Sequence, residues 1–403
     1  MSAADESATP DVMPAFTGLK VLELAQGVAA PYCGMLLAQH GADVTKIEPI
    51  GYGDWSRGLG RRRGDFSSES IVLNRGKNSL ALDLKKPEGR DLAFRLATQA
   101  DVVIENYRPG VTERLGLDYE AVRAKNPSVV YASVTGFGPI GPRRNHPATD
   151  TVMQGYTGFM SINRDAAGIP RRVNMLAIDV STGLYLSQAV SAALYRRAVH
   201  GVGQHIRTSL LECAMAFQES RIVEYALEGP GVKAVGAPVG TFETADGYLS
   251  LNARRDNHFE ALCKLLERTE WLADERFGSE QSRLSHAEAL NALVEPLIKA
   301  QPTRYWADIL SSADILHAPV FDYGDLMEDE QVREIQAITW SQIEGLGSMP
   351  AARLPGLPPP PDRPETAQPP RVGQQGRAVL SAAGLSDAEI AGLVESGAAA
   401  LPD

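Results

Sequence analysis

Apolar and polar positions along residues 18–136 alternate in two different periods. Short segments at 20–24 and 101–106, each with three apolar residues, predict buried strands, because strands covered on both faces have no exposed polar side. The amphipathic stretch 87–100 begins with a proline, which suits the first position of a helix. Strand, helix and strand follow one another, and such units form parallel sheets with right-handed crossovers. The pattern predicts an α/β fold.

Similar patterns of apolar and polar residues predict the elements in the rest of the chain. A hairpin with Asp246-Gly247 in its turn is predicted over 241–253, and the proline-dense segment 355–370 should be extended rather than helical. Further strands are expected at 43–48, 80–85 and 128–136, and helices at 178–198 and 212–227. The predicted organisation begins with a disordered leader over 1–16 and a large domain over 17–228. A glycine-rich linker or lid over 229–240 leads to a small α+β domain over 241–330. A return segment over 331–403 follows, whose C-terminal helices are expected to pack on the large domain.

Composition narrows the classes of function. The 403 residues carry a formal charge of −11, which argues against binding nucleic acid or an anionic membrane, since both need a basic surface. No apolar run approaches the roughly 18 residues that suggest a membrane span, and the acidic N-terminus is unlike a signal peptide. We therefore expect a cytoplasmic protein. Cys33, Cys213 and Cys263 are too far apart for a disulfide framework or zinc site, so buried thiols and no metal are expected.

Candidate chemistry lies where strands end. Ligands bind an open parallel sheet at the carboxyl ends of its strands, and polar loops follow three of the predicted strands at 25–30, 105–110 and 135–142. The first loop lacks the G-x-G-x-x-G fingerprint of dinucleotide binding. The Walker A, H-E-x-x-H and G-x-S-x-G sequences are also missing. The sequence therefore lacks the signatures of P-loop NTPases, zinc peptidases and serine hydrolases.

Asp150 has two interpretations. Aspartate is a favoured helix N-cap, and Val152, Met153 and Tyr156 follow it at helical spacing, so a structural cap is the local expectation. A carboxylate at the start of a helix stays ionised, because the helix dipole favours the anion. An ionised carboxylate can attack an acyl group. Capping and nucleophilic chemistry are compatible, and both remain open.

Several segments together carry a resemblance to a known family. They are, in order, GLKVLEL, APYCGMLLA, HGADVTKIEP, LNRGKNSLALDLKKPEGR, ADVVIENYRPGVTERLG, NPSVVYASVTGFGPIGP and HPATD, ending at Asp150, with RVGQQGRAVLSAAGLSDAEIAGLVESG near the C-terminus. The chain resembles the class III CoA-transferases, the family that includes formyl-CoA:oxalate and carnitine CoA-transferases. The resemblance spans nearly all of the chain after the leader.

The resemblance implies a fold and a reaction. Family members have a large Rossmann-like domain with a parallel sheet and a smaller α+β domain, and two chains interlock as a homodimer. They hold no tightly bound cofactor; coenzyme A and its thioesters are substrates. The family's catalytic aspartate is matched here to Asp150, which would attack an acyl-CoA donor, form an aspartyl-acyl anhydride and pass through an aspartyl-CoA thioester before a small carboxylic acid receives CoA.

The resemblance also supplies candidate CoA contacts. Individually, Leu82 would be read as core, Lys85 as a solvated charge and Arg114 as a surface ion pair. The oxalate enzyme has glutamine where Val28 stands and lysine where Thr135 stands, so an acid other than oxalate is expected. The residues matched to the CoA site are Gly27, Val28, Leu82, Lys85, Asn106, Tyr107, Arg114 and Thr135.

The substrates are a separate hypothesis. Arg254 and Arg255 follow a predicted strand of the small domain, and paired guanidinium groups can bind a carboxylate bidentately. With Gly236 of the predicted lid they form the candidate substrate site, and the arginines at 61–63 are a second possibility. This suggests succinyl-CoA as donor and a small dicarboxylate-like acid as acceptor. A surface arginine pair is the alternative.

Two other functions remain open. An α-methylacyl-CoA racemase shares the fold, but such racemases have His-Asp where this chain has Thr149-Asp150, and threonine is no base at neutral pH. Asp179 aligns with the other racemase base, although many transferases also have an acid there. The second alternative is a non-catalytic CoA-binding dimer, which the presence of Asp150 argues against.

Overall fold

The computed structural model describes residues 13–165, 167–231, 234–358 and 364–402. The chain divides into two units, with boundaries after Gly229 and after Ile335. The larger unit contains the N-terminal part of the chain and its C-terminal return, and the smaller unit lies between them in sequence. Each unit has its own hydrophobic core.

The N-terminal part of the larger unit alternates strands and helices. Its strands are β1 (Lys20–Glu23), β2 (Asp43–Glu48), β3 (Arg62–Arg63), β4 (Phe66–Ser67), β5 (Asn78–Leu82), β6 (Val102–Glu105), β7 (Val130–Thr135) and β8 (Gln204–Ser209). Its helices are α1 (Ala29–Gln39), α2 (Ser68–Asn74), α3 (Pro87–Gln99), α4 (Val111–Leu115), α5 (Tyr119–Arg123), α6 (Asp150–Tyr156), α7 (Ala177–His200), α8 (Leu210–Phe217) and α9 (Glu219–Glu228), with short 3₁₀ helices at Trp55–Gly58 and Phe159–Ile162.

The rest of the chain completes both units. The smaller unit contains β9 (Val239–Glu243), β10 (Tyr248–Asn252), α10 (Asp256–Leu265), a 3₁₀ helix (Thr269–Ala273), α11 (Glu280–Ser285), α12 (Ala287–Lys299), α13 (Thr303–Ser312), β11 (Leu316–Pro319), α14 (Tyr323–Glu328) and α15 (Glu330–Glu334). The return segment of the larger unit contains β12 (Ile338–Ile343), β13 (Gly347–Ala352), α16 (Pro364–Ala367), α17 (Gly376–Ala382), α18 (Asp387–Glu395) and β14 (Ala399–Ala400).

A seven-stranded sheet forms the centre of the larger unit. Its order is β14-β5-β2-β1-β6-β7-β8, and all neighbours are parallel except β14, which pairs antiparallel with β5. From β1 the chain adds β2 and β5 on one side of the sheet, and it then places β6 on the other side of β1. A crevice therefore opens between the carboxyl ends of β1 and β6, the place where open α/β sheets bind ligands.

Alternating strand residues build two cores, one on each face of the sheet. Val21 and Val102 face the core that α1 and α7 cover, whereas their neighbours Leu22 and Val103 face the core that α3 and α5 cover. Helix α7 lies very close to α1: a Cβ on Gly183 would be 2.7 Å from the carbonyl oxygen of Ala29. This contact fixes the start of α7 beside the loop that follows β1.

The smaller unit is an antiparallel sheet with helices. The predicted hairpin is present, since β9 pairs with β10 across the Asp246-Gly247 turn, and β11 adds a third strand. Phe259, Trp306 and neighbouring apolar side chains of α10, α12 and α13 form its core. The expected mixed α/β architecture with a largely parallel central sheet is confirmed, whereas the interlocked homodimer stays a prediction.

Some local predictions need correction. The strand expected at 80–85 ends at Leu82, because the next residues turn into α3. The helix expected at 212–227 is two helices that meet at Gln218. Residues 364–367 form a helical turn inside the segment expected to be extended. Residues 1–12 of the predicted leader lie outside the described residues, while Phe16 already packs on the core, so the fold begins before residue 17. The three cysteines are buried, as expected.

Candidate active site

Two loops meet at the crevice of the sheet. The amide of Asn106, after β6, binds the backbone of Gln26, after β1, twice: its Oδ1 accepts from the Gln26 N–H at 2.9 Å, and its Nδ2 donates to the Gln26 carbonyl at 2.6 Å. The pair of hydrogen bonds joins the loops at the point where the strand order reverses. Asn106, one of the predicted CoA contacts, therefore uses its amide to shape the crevice.

A buried carboxylate fixes the next residue of the first loop. The N–H of Gly27 donates to Asp54 Oδ1 at 2.8 Å, and the N–H of Ser56 donates to the same oxygen at 2.8 Å. Gly27 has a φ of +82°, which favours glycine, and a Cβ there would be 2.3 Å from the indole of Trp55. The loop and the 3₁₀ helix that carries Trp55 are thus fixed against each other.

An ion network lies behind this carboxylate. Lys46 Nζ is 2.6 Å from Asp54 Oδ2 and 2.9 Å from Glu23 Oε1, and Lys77 Nζ is 2.7 Å from Glu23 Oε2. All four side chains are fully buried. Burial lowers the pKa of Lys77 to about 8, whereas for Lys46 the surrounding carboxylates outweigh burial and raise its pKa. The first loop is therefore supported by paired charges that tie β1 and β2 to it.

The Asp150 side chain caps α7 rather than α6, the helix that Asp150 begins. Its Oδ2 accepts from the N–H groups of Ile178 and Asp179 at 2.8 and 3.1 Å, and its Oδ1 accepts from Gln154 Nε2 at 2.6 Å. It thus satisfies the free donors at the start of α7, while Thr149 precedes α6 without a side-chain cap among the described residues. The carboxylate is buried, and both of its oxygens are engaged.

Asp179 lies in the first turn of α7 and lines a cavity of about 390 Å³. Burial, followed by the charge of the Asp150 carboxylate, raises the pKa of Asp179 to about 7. A group with such a pKa exists in both protonation states near neutral pH. The structure therefore places two carboxyl groups next to each other, of which Asp179 is the one at the cavity surface, whereas the described lining does not include Asp150.

Most predicted CoA contacts line one of two cavities. Val28, Asn106, Tyr107 and Thr135 line the cavity that contains Asp179. Leu82 and Lys85 line a second cavity, of about 310 Å³, and Tyr107 belongs to both. Lys85 is exposed, as a lysine that meets a phosphate should be. Tyr107 is thus the residue that the linings of the two cavities share.

The other predicted residues lie elsewhere. Gly27 is buried beneath Trp55, and Arg114 is exposed on α4, outside the described lining of both cavities. In the smaller unit, Gly236 packs against the Arg254 side chain, whose guanidinium is 3.8 Å from a carboxylate oxygen of Glu280. Arg255 is exposed just before α10. The role of these residues in binding substrate stays a prediction.

Sequence reasoning missed two contributors to the site. Trp55 lines the cavity and Asp54 supports it, yet neither stood out in GYGDWSRG. A signal was available for the ion network: Glu23 and Lys46 lie inside apolar strands, and buried charges require partners.

No cluster within the described ranges has three or more His, Cys, Asp or Glu side chains placed to hold a metal. None of the helices that the structure describes combines the length and apolar character needed to cross a bilayer.

Comparison with known proteins agrees with this arrangement. Residues 16–376 match the model of CoA-transferase family III. The chain is 33% identical over 317 residues to an acetyl-CoA:oxalate CoA-transferase of Acetobacter aceti, covering 77% of this chain and 82% of the relative. It is 34% identical over 342 residues to a succinate–glutarate CoA-transferase of Agrobacterium fabrum, covering 80% and 84% respectively.

Solved structures show the same fold. A CAIB/BAIF family protein from Brucella suis is similar with a TM-score of 0.80 at 31% identity, covering 91% of this chain and 98% of that one. Rv3272 from Mycobacterium tuberculosis is similar with a TM-score of 0.79 at 27% identity, covering 90% and 98%. The similarity extends over both units of the chain.

Proposed function

The chain belongs to CoA-transferase family III and is a class III CoA-transferase; we propose that it moves CoA from an acyl-CoA donor to a small carboxylic acid through a covalent intermediate on the Asp150–Asp179 pair. One observation carries this proposal: Asp150 lies against the start of α7, where the N–H of Asp179 donates to its Oδ2, and Asp179 lines the cavity that Val28, Asn106 and Tyr107 also line. A carboxylate at the surface of such a cavity can reach a thioester carbonyl.

Either carboxylate of the pair can make the attack, because an ionised carboxylate can attack an acyl group. Asp150 is the residue that the family resemblance matches to the catalytic aspartate. Its oxygens accept three hydrogen bonds, which hold the carboxylate at the start of α7, next to the cavity that Asp179 lines. Attack by Asp150 is the prediction made from the resemblance, and attack by Asp179, which lies at the cavity surface, is the competing prediction.

Each step of the proposed reaction exchanges one activated acyl bond, a thioester or an anhydride, for another. The aspartate carboxylate attacks the thioester carbonyl carbon, the C–S bond breaks, and CoA thiolate leaves an aspartyl-acyl anhydride. The thiolate then attacks the aspartyl carbonyl, which releases the donor acid and forms an aspartyl-CoA thioester. An acceptor carboxylate displaces the thiolate to give a second anhydride, and the thiolate attacks its acceptor carbonyl, which frees the new acyl-CoA and the aspartate. No step requires an oxidant or a second energy source.

The cavities suggest how CoA lies in the site. The adenosine end occupies the cavity of Leu82 and Lys85, where the lysine meets a phosphate, and the thioester end occupies the cavity of Asp179. Tyr107 lines both cavities. Relatives named for oxalate and for succinate and glutarate act on small dicarboxylic acids, which supports succinyl-CoA as donor and an acid of that class as acceptor. Arg254, Arg255 and Gly236 remain the proposed contacts for its second carboxylate, in a homodimer.

Trapping the intermediate tests this function. Wild type, Asp179→Ala and Asp150→Ala are mixed with succinyl-CoA and then with hydroxylamine, which converts an anhydride or acyl thioester of aspartate to a hydroxamate. Peptide mass spectrometry should locate the hydroxamate on one of the two aspartates in wild type. A hydroxamate on Asp150 would establish the prediction made from the resemblance, whereas a hydroxamate on Asp179 would establish the competing prediction.

The same experiment can reject covalent transfer altogether. If wild type gives no adduct with succinyl-, acetyl- or formyl-CoA, the covalent proposal is wrong for these donors. Deuterium incorporation at the α-carbon of a 2-methylacyl-CoA would then identify the racemase alternative, in which the carboxylates only move protons. Asp165→Ala is the matched control, because Asp165 is a carboxylate outside the described lining of the cavity.

A further inference from the structure

Gln154 is a buried side chain that contacts the Asp150–Asp179 pair. It lies on α6, one helical turn after Asp150, and is 1% exposed. Its Nε2 donates to Asp150 Oδ1 at 2.6 Å and to the Met175 carbonyl oxygen at 3.0 Å, and its Oε1 accepts from the N–H of Val173 at 2.9 Å. A side-chain amide has two N–H donors and one carbonyl acceptor. With its oxygen and nitrogen exchanged, the amide oxygen would face two acceptors, so these hydrogen bonds fix the orientation of the amide.

The Gln154 amide connects two segments that meet at the pair. The backbone groups that it binds lie just before α7, and the first N–H groups of α7 donate to Asp150 Oδ2 at 2.8 and 3.1 Å. Gln154 therefore holds Asp150 Oδ1 and the approach to α7, while the start of α7 holds Asp150 Oδ2. Hydrogen bonds to an ionised group are roughly twice as strong as those between neutral groups, and a carboxylate held at both oxygens has a fixed orientation. Because Asp179 lies in the first turn of α7, the same contacts position the second carboxyl group.

We propose that Gln154 is a positioning residue for CoA transfer: its amide holds the Asp150 carboxylate and the first turn of α7 in the arrangement that the covalent step requires. This inference rests on the proposed function, because it takes the Asp150–Asp179 pair as the site of the intermediate, and it applies to attack by either aspartate. Gln154 is outside the described lining of the cavity, so it acts through Asp150 rather than by touching the substrate. Its loss should therefore slow the chemical step more than it weakens the binding of acyl-CoA.

The test compares wild type with Gln154→Met and Gln154→Glu, with succinyl-CoA as donor and glutarate as acceptor. Gln154→Met retains a side chain of similar length but removes every hydrogen bond of the amide. We expect it to lower kcat at least about tenfold and to change KM for succinyl-CoA less than about twofold, since a misplacement of about 1 Å can slow a reaction about 10²-fold. Gln154→Glu can donate to Asp150 Oδ1 only when the introduced carboxyl group is protonated, so its kcat relative to wild type should rise as the pH falls.

Gln39→Met is the matched control for the loss of a buried amide. Gln39 is 5% exposed on α1, and its Nε2 donates to the carbonyl oxygens of Arg75 and Thr366. The substitution should lower Tm about as much as Gln154→Met does, because it also leaves buried carbonyl groups without a donor, and it should leave kcat unchanged.

Equal losses of kcat in Gln154→Met and Gln39→Met, or a pH profile of Gln154→Glu parallel to that of wild type, would overturn the inference. Amide hydrogen exchange gives a readout that does not depend on turnover: the N–H groups of Val173 and Ile178 should exchange faster in Gln154→Met, and unchanged exchange would also overturn it. If Gln154→Met does not fold, the pH profile of Gln154→Glu, which has nearly the same shape as wild type, decides the question. Failure of wild type to transfer CoA from succinyl-, acetyl- or formyl-CoA would instead contradict the proposed function.

Discussion

Removing the carboxylate that supports the first loop should be among the most destabilising single changes in the larger unit. Asp54 is completely buried and accepts hydrogen bonds from Lys46 Nζ and from the N–H groups of Gly27 and Ser56. In Asp54→Ala all three donors lose this acceptor. Lys46 keeps Glu23 as a partner, but Glu23 must then balance both Lys46 and Lys77.

The expected cost follows from these contacts. Breaking a buried ion pair by removing one partner costs about 3–5 kcal/mol, and a hydrogen bond to a charged group contributes about 1.5–3 kcal/mol. The contributions share one carboxylate, so they overlap and cannot be added. We therefore expect Asp54→Ala to lower the free energy of unfolding by about 4 kcal/mol.

Two measurements check this value. Calorimetry gives the loss in Tm of the whole chain. Amide hydrogen exchange reports locally on Gly27 and Ser56, whose N–H groups should exchange much faster in the variant. Asp65→Ala is the control, because Asp65 is 63% exposed and its pairing with Arg371 contributes little. If Asp54→Ala and Asp65→Ala have the same small effect, the buried network does not support the loop.

Two further predictions concern the same site. Gly27→Ala should cost about 1–2 kcal/mol through its left-handed backbone, and its Cβ should displace the indole of Trp55, which lies 2.3 Å from that position. The Tm measured by calorimetry should fall and the fluorescence of Trp55 should change; an unchanged Tm and spectrum would contradict the steric contact. Asp179→Asn should become more stable relative to wild type as pH rises from about 4 to 7, and the gain should then level off. The pKa of Asp179 rises from 3.8 to about 7 on folding, so its stabilising contribution is complete below pH 3.8 and is lost by pH 7. A pH-independent difference in Tm would show that Asp179 is not the titrating group.

The sequence predicts the scaffold because the scaffold depends on local periods. Apolar runs at 20–24 and 101–106 become β1 and β6 of a parallel sheet, and the loops after them, at 25–30 and 105–110, meet at the crevice. Strand order cannot be read from these runs. The position of the crevice between β1 and β6 depends on which strands pair, and pairing is decided by contacts between distant segments.

The candidate site also depends on contacts between segments that are distant in the sequence. The helical spacing after Asp150 correctly indicates that a helix starts there, and it suggests that Asp150 caps that helix. The carboxylate instead caps α7, whose first donors are 28 residues away in sequence. The packing of α6 against the start of α7, where Met153 and Ile178 share a buried cluster, brings them within reach. The contact between Gly27 and Trp55 is equally non-local.

Asp150 and Asp179 differ in their hydrogen-bond partners, because the N–H groups of Ile178 and Asp179 at the start of α7 both donate to Asp150. A carboxylate in the first turn of a helix ordinarily has a lowered pKa, since free N–H groups and the helix dipole favour the anion. Here the N–H groups of Ile178 and Asp179 both donate to Asp150. Asp179 is therefore buried beside an anion whose partners are taken, and its pKa rises instead. The capping interaction of Asp150 thus explains why a carboxyl group in the first turn of a helix has a raised rather than a lowered pKa.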